Sequence, residues 1–244
     1  MANEMPTITT VIEGREISRD DVFGWEAARI PAAARKIGLP TPAGDLARQK
    51  AAFADAKLEL GAGEIRRRLA RDIRLTDFTA RAMTRMSAGR RVISSCDLHV
   101  DVGSAAAFAD WFTDTSRDDY ARSMIGAHPD HFLIDTVADG RQEVVETTGG
   151  SPLATRFLVD YEATASLTTS RDPAFPVEAA GAAQNESGLV IGGVRHQFRD
   201  EENGFHARLS VEFPRFTPPY LVAQHRWHLA CEFSNWMEAA FAGH

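Results

Sequence analysis

Hydrophobic positions along this 244-residue chain fall into two textures that change near position 91. Over residues 1–90, apolar residues recur at helical spacing among Ala and Arg. This predicts helices over 20–37, 45–60 and 62–86, separated by GLPTPAGD (38–45) and Gly61-Ala62-Gly63. From Val92 the pattern turns extended. Val92–Val102 reads as a strand, and Ser104 opens a helix with Phe108, Trp111, Phe112 and Tyr120 at helical intervals up to Gly126. Short β-like runs follow at Phe132–Val137, Gln142–Thr148, Leu153–Leu167, Leu189–Phe198 and Phe205–Phe213. The loop Arg199–Gly204 marks a hairpin between the last two. Residues 168–188 are long, irregular and rich in Ala, Gly and Ser, which reads as a lid or a connection. Thr217–His244 closes the chain as one long helix, with Thr217 as N-cap and Pro218 in the first turn.

The pattern divides the chain into a helical region, 1–90, and a mixed domain, 91–244. It is an α+β arrangement: an antiparallel sheet curving around a long C-terminal helix leaves a cavity between them. The most informative stretch is that helix. His225, His228 and Glu232 recur at spacings of three and four, so they stack on one face. Around them stand Leu221, Val222, Trp227, Leu229, Phe233, Trp236 and Met237, too apolar for a solvated face. A carboxylate and imidazoles pointing inward need partners, and a metal ion is a common one.

Composition changes this picture little. Hydrophobic residues make up 44% and charged ones 25%, as in ordinary globular proteins. No apolar run is long enough to span a membrane, and the N-terminus lacks the features of a signal peptide. Cys96 and Cys231 are the only cysteines and form no CxxC, which favours unpaired thiols and a cytoplasmic location. The net charge of −7 hides an asymmetry. Residues 1–90 hold 16 Lys and Arg against 12 Asp and Glu, and the remainder 11 against 22. Arg66, Arg67, Arg68, Arg71 and Arg74 alternate with Ile65, Leu69 and Ile73, so they form the outer face of an amphipathic helix and do not predict nucleic-acid binding.

Two places could complete a site with His228 and Glu232. One is the loop Gly126-Ala-His128-Pro129-Asp130-His131. The other is Asp160-Tyr161-Glu162, in a strand-like run. Taken in order, HPDH (128–131), Glu162 and His228-x3-Glu232 resemble the zinc-dependent 2,4-diacetylphloroglucinol hydrolases and the related phloretin hydrolases. The resemblance covers roughly residues 91–240. In that family the first motif reads nearer HPxxH with a Trp before it, so here His128 and His131 both stand as candidates.

The resemblance implies a Bet v 1/START-like helix-grip fold with a helical N-terminal extension. It implies Zn2+ held by His131, Glu162, His228 and Glu232, and a polyhydroxylated aromatic ring whose acyl group is removed by C–C hydrolysis. Tyr120, Tyr161, His196 and His206 are the residues available to hold ring hydroxyls and deliver a proton, with Tyr120 and His206 assigned to the site. The same cavity would also suit a non-enzymatic protein binding a hydrophobic or phenolic ligand. Residues 1–90 are expected to pack on the sheet or to mediate a homodimer.

Overall fold

The computed structural model describes residues 5–242, so positions 1–4 and 243–244 at the outer ends of the two predicted regions lie outside the described residues. One open, curved antiparallel sheet of nine strands organises the molecule. In chain order these are β1 (Ile8–Ile12), β2 (Arg15–Ile17), β3 (Arg91–Val100), β4 (His131–Thr136), β5 (Gln142–Glu146), β6 (Thr155–Asp160), β7 (Val177–Gln184), β8 (Val190–Asp200) and β9 (Phe205–Pro214). Their order across the sheet is β2-β1-β3-β9-β8-β7-β6-β5-β4. Five helices accompany them: α1 (Arg19–Lys36), α2 (Leu46–Ser87), α3 (Ala105–Thr113), α4 (Tyr120–Gly126) and α5 (Pro219–Phe241).

The α+β class and the long final helix agree with the sequence reading, except that α5 starts one residue later than expected, with Pro218 in place of Thr217 at the N-cap. α5 lies on the face of the sheet where Cys96, Leu98, Val100, Phe205, Ala207 and Leu209 meet Leu229, Phe233 and Met237 in the main core. A second core joins α1 and α2 to β4 and β5 through Ile37, Phe53, Ile65, Leu69, Phe132 and Val145. Ile65 and Leu69 are buried there as their spacing predicts, while Arg66 and Arg67 reach outward.

Four expectations need correction. The N-terminal third is not wholly helical: β1 and β2 form a hairpin that extends the sheet through β3. Its alternation was present in the sequence, since Ile8, Thr10 and Ile12 are buried while Thr7 and Thr9 face solvent. The predicted helix 104–126 is two helices, α3 and α4, separated at Asp114–Asp119. Residues 168–188 contain β7, whose sequence VEAAGAAQ carries too few β-branched or aromatic side chains to announce a strand. Small side chains are needed there, because a Cβ at Gly181 would lie about 2.9 Å from Tyr161 Cα. The two helical segments predicted either side of Gly61 run on as α2, with a break at Gly61 (φ 75°, ψ 155°) that favours glycine.

Among the described residues no helix is long and apolar enough to cross a membrane.

Candidate metal centre

The site assembles where β4 and β5 end against α5. β4 and β5 are antiparallel, and their register sets His131, the first residue of β4, opposite Glu146, the last of β5. After β5, the turn Thr148–Gly150 packs directly on α5. A Cβ on Gly149 would lie 2.7 Å from the Leu221 carbonyl oxygen and 3.0 Å from His225 N, and its φ is +56°, so only glycine suits this contact. The sheet end that carries Glu146 is thereby held against the helix that carries His228 and Glu232.

Four ligand-type atoms converge there. His131 Nε2 lies 3.0 Å from His228 Nε2, 3.1 Å from Glu232 Oε2 and 3.7 Å from Glu146 Oε2. His228 Nε2 lies 3.7 Å from Glu232 Oε2 and 3.8 Å from Glu146 Oε2. All four residues are buried. The ring of His128 stacks on that of His228 with centroids 3.8 Å apart, and His128, His131 and His228 together come close enough to hold a metal ion.

Hydrogen bonds decide which nitrogens are free. His131 Nδ1 faces the Met124 carbonyl oxygen at 3.1 Å, so Nδ1 carries the proton and the Nε2 lone pair points into the cluster. His128 Nδ1 accepts the Asp130 N–H at 3.0 Å, so a neutral His128 carries its proton on Nε2 and offers no lone pair there. Burial keeps His128, His131 and His228 below the ordinary imidazole range, and so neutral. Burial also pushes Glu232 well up and Glu146 up to about 7, the nearby Glu232 adding to the latter while His131 opposes it.

The HPDH loop is gripped from below by the N-terminal helices. Lys57 of α2 is buried, and its ammonium donates to the carbonyl oxygens of Ile125 and His131 at 2.7 Å and of His128 at 3.2 Å. Arg29 of α1 makes a two-pronged pair with Asp130 at 2.8 and 2.9 Å, and the Thr147 hydroxyl donates to the same carboxylate. Nearby, Glu26, Lys50 and Asn235 tie α1, α2 and α5 together. The purpose of the basic N-terminal third, opaque in sequence, is thus partly to fix the loop that presents His131.

The cluster opens on a cavity of about 470 Å3 with mainly apolar walls, including Met83, Leu153, Phe157, Ile191 and Val211. Polar groups enter it at a few points. Tyr161 donates to Gln142 Oε1 at 3.2 Å, and Gln142 Nε2 donates to the Tyr120 hydroxyl at 2.9 Å. Tyr161 and Gln142 line the cavity, whereas Tyr120 is buried behind Gln142. His196 of β8 also lines it. Its Nδ1 lacks a hydrogen-bond partner, and burial holds the ring neutral, with a pKa down to about 3. His225 lines the cavity as well, bonded through Nδ1 to Ser94 Oγ at 3.1 Å.

Of the six site residues expected from sequence, the structure brings His131, His228 and Glu232 together. It does not bring Glu162. That residue is exposed in the turn after β6, where its backbone N–H donates to Asp160 Oδ1. Strand β6 stops at Asp160, so the alternation that would have aimed Glu162 inward no longer applies. His206 is also elsewhere. Along β9 its neighbours Phe205 and Ala207 face α5, so His206 points to the opposite face of the sheet and bonds Asp97 at 2.7 Å. Tyr120 reaches the cavity only through Gln142.

The missed residue, Glu146, had only part of a signal: the turn pair Asp139-Gly140 announces a hairpin between β4 and β5, but His131 comes opposite Glu146 only through an irregularity in register between His131 and Leu133 that the sequence does not show. Lys57 and Arg29 had none, because long-range burial of single charges leaves no local pattern. No family model matches this chain, and no curated protein matches it.

Proposed function

We propose that the protein is a zinc-dependent hydrolase of helix-grip, Bet v 1/START-like architecture, cleaving the C–C bond between an acyl group and a polyhydroxylated aromatic ring. The observation that carries the reading is the convergence of His131, Glu146, His228 and Glu232 at the end of a largely apolar cavity. The donor set suits zinc. Two imidazole nitrogens and two carboxylate oxygens around a tetrahedral ion about 2.0–2.1 Å away stand about 3.3 Å apart, and the His–His and His–Glu separations of 3.0–3.8 Å bracket that value. Without a cation, two buried carboxyls can lie beside neutral imidazoles only by holding protons.

A bound divalent ion supplies Lewis acidity, polarising an acyl carbonyl and making water a better nucleophile. The chain's own residues do the rest. Apolar walls hold the ring and keep bulk solvent out. Tyr161 and Gln142 present a phenol and an amide to a ring hydroxyl, and Tyr120 fixes the amide from behind. Protonation of the acyl-bearing ring carbon gives the keto tautomer of the ring. Water oxygen then adds to the acyl carbon, and the C–C bond breaks with its electron pair returning to the ring. Aromaticity is restored, the ring oxygen recovers the proton given up by water, and a carboxylic acid and the deacylated phenol are left. The ring hydroxyls make the ring carbon basic enough to be protonated, and the His196 imidazole, held neutral by burial and with Nδ1 unpartnered, lines the same cavity within which it can share a hydrogen bond with one of them.

Metal analysis of the purified protein, with assay on an acylphloroglucinol before and after chelation, tests the reading. Zinc near one equivalent at this site, activity lost on chelation and restored by zinc, and loss of both in Glu146→Gln are expected. A metal-free protein that binds acylphloroglucinols without turnover would instead identify a binding protein.

A further inference from the structure

His206 is absent from the cavity because it belongs to a second cluster on the opposite face of the sheet. In the β3–β9 register His99 stands directly opposite His206, and the two rings stack with centroids 4.1 Å apart. Glu201, in the turn between β8 and β9, reaches over them. Its Oε2 lies 2.9 Å from His99 Nδ1, and its Oε1 lies 3.9 Å from His206 Nδ1.

The proton positions make this more than a surface ion pair. His206 Nε2 is bonded to Asp97 Oδ1 at 2.7 Å, which places a proton on Nε2. That leaves Nδ1 with a lone pair in the neutral ring. This Nδ1 has no hydrogen-bond partner although the residue is only 5% exposed, and it is directed toward a carboxylate oxygen. In the neutral ring this sets a lone pair toward a carboxylate oxygen 3.9 Å away with no hydrogen bond between them. A carboxylate that receives one ring nitrogen's proton, while the other nitrogen is aimed at further ligands, is the arrangement found behind metal-binding histidines.

We propose that His99, Glu201 and His206 form a second site for a borderline divalent cation such as Zn2+, separate from the inner centre and independent of the proposed hydrolysis. Ligand atoms of the three residues lie within 4.8 Å of one another, so movements of about 1 Å bring them to the roughly 3.3 Å separation of a tetrahedral zinc site. Three protein ligands leave a fourth position to water, since His99 and Glu201 are partly exposed. The cationic neighbours are already engaged. Arg208 pairs with Asp172 at 2.8 Å and lies over the Phe175 ring at 4.3 Å, and Arg199 lies over the same ring at 4.9 Å. Arg199 approaches only Glu201 Oε1, at 3.5 Å, leaving Oε2 to the cation. Occupancy would pin the β8–β9 turn to β3.

The test uses full-length protein stripped by a chelator and titrated with Zn2+ alone, following stoichiometry by calorimetry and the His206 ring nitrogens by NMR. Glu201→Gln and His99→Gln, both at partly exposed positions, are expected to bind one equivalent fewer than the unsubstituted chain. That difference does not depend on whether the inner cluster binds zinc, so it fails separately from the proposed function. In the unsubstituted chain, His206 Nδ1 is expected to shift on zinc addition. An unchanged stoichiometry in both variants, or a His206 ring that carries protons on both nitrogens at neutral pH and ignores zinc, overturns the proposal.

Discussion

His131 Nε2 and His228 Nε2 face each other at 3.0 Å although 97 positions separate them in the chain. One comes from the start of a strand and the other from the middle of a helix, and each is neutral by burial. Such a contact uses one proton where two lone pairs point, and a cation resolves it better. Replacing either His131 or His228 with Ala is expected to weaken zinc binding by at least ~100-fold, more than the loss of an outer hydrogen bond to a ligand. Competition with a chromogenic chelator measures this directly.

Glu146 and Glu162 make a sharper comparison, because both are glutamates near strand ends. Glu146→Gln is expected to remove the inner zinc and activity, while Glu162→Gln, at an exposed turn, leaves both unchanged and alters stability by less than ~0.5 kcal/mol. The opposite outcome would restore Glu162 as the ligand and undo the site described above.

The titration of the site gives a signed pH dependence. Glu146 is raised to about 7 in the metal-free fold, so from its ordinary range up to about pH 7 the folded chain holds a proton that the unfolded chain has lost. Its stabilisation of the metal-free protein is therefore present at low pH and lost as pH rises through 7. His131 and His228, lowered by burial, act in the other direction: their contribution is present above their ordinary value and lost as pH falls. Zinc requires both carboxylates ionised and both imidazoles neutral, so its apparent affinity is expected to rise between pH 6 and 8, with protons released on binding. Calorimetry in buffers of different ionisation enthalpy reads the protons. Affinity that is flat across this range would contradict the ligand set.

Tyr161→Phe removes the only hydroxyl that contacts Gln142 from the cavity side. If the pair holds a ring hydroxyl, KM for an acylphloroglucinol should rise roughly tenfold, the worth of one hydrogen bond to a substrate, with zinc content unchanged. An unaltered KM would place the ring elsewhere in the cavity.

Arg29→Leu leaves the fully buried Asp130 carboxylate without its cation. Breaking such a pair costs about 3–5 kcal/mol, which for a domain of this size lowers Tm by roughly 10 °C. Lys57→Met is expected to act similarly, since it takes the buried ammonium away from the carbonyl oxygens of Ile125 and His131, its two shortest contacts. Thermal melts of both variants check this, and a change under 2 °C would mean that the N-terminal helices do not brace the loop.

How far the sequence could be read depended on the range of each interaction. α5 was legible because three ionisable residues share one stripe of a helix, a relationship confined to eight positions. Strands β8 and β9 were legible from their alternation and their turn. The Asp139-Gly140 turn made the β4–β5 hairpin legible, but the register irregularity that brings Glu146 opposite His131 was not, and Glu162 stood beside more conspicuous neighbours. β1 carried an alternation too short, at five residues, to stand out beside the helical segments, β2 is a three-residue edge strand, and the Ala-rich β7 lacks the β-branched and aromatic residues that mark the others. The grip of Lys57 and Arg29 on the HPDH loop could not be read at all, since it exists only between elements far apart in sequence.

That grip also bears on the order in which the molecule can form. α1 and α2 are synthesised long before β4, β5 and α5, yet the carbonyls that receive Lys57 and the carboxylate that receives Arg29 come from residues 125–131. Until those residues emerge, two cations have no buried partner, and the apolar stripe of α2 has no sheet to cover. His228 and Glu232 come later still, on an element made after every strand. The inner site is therefore complete in the chain only once every strand has been made, and a folding assay that follows Trp236, stacked 5.7 Å from His131, is expected to report closure of the fold and assembly of the site in one phase.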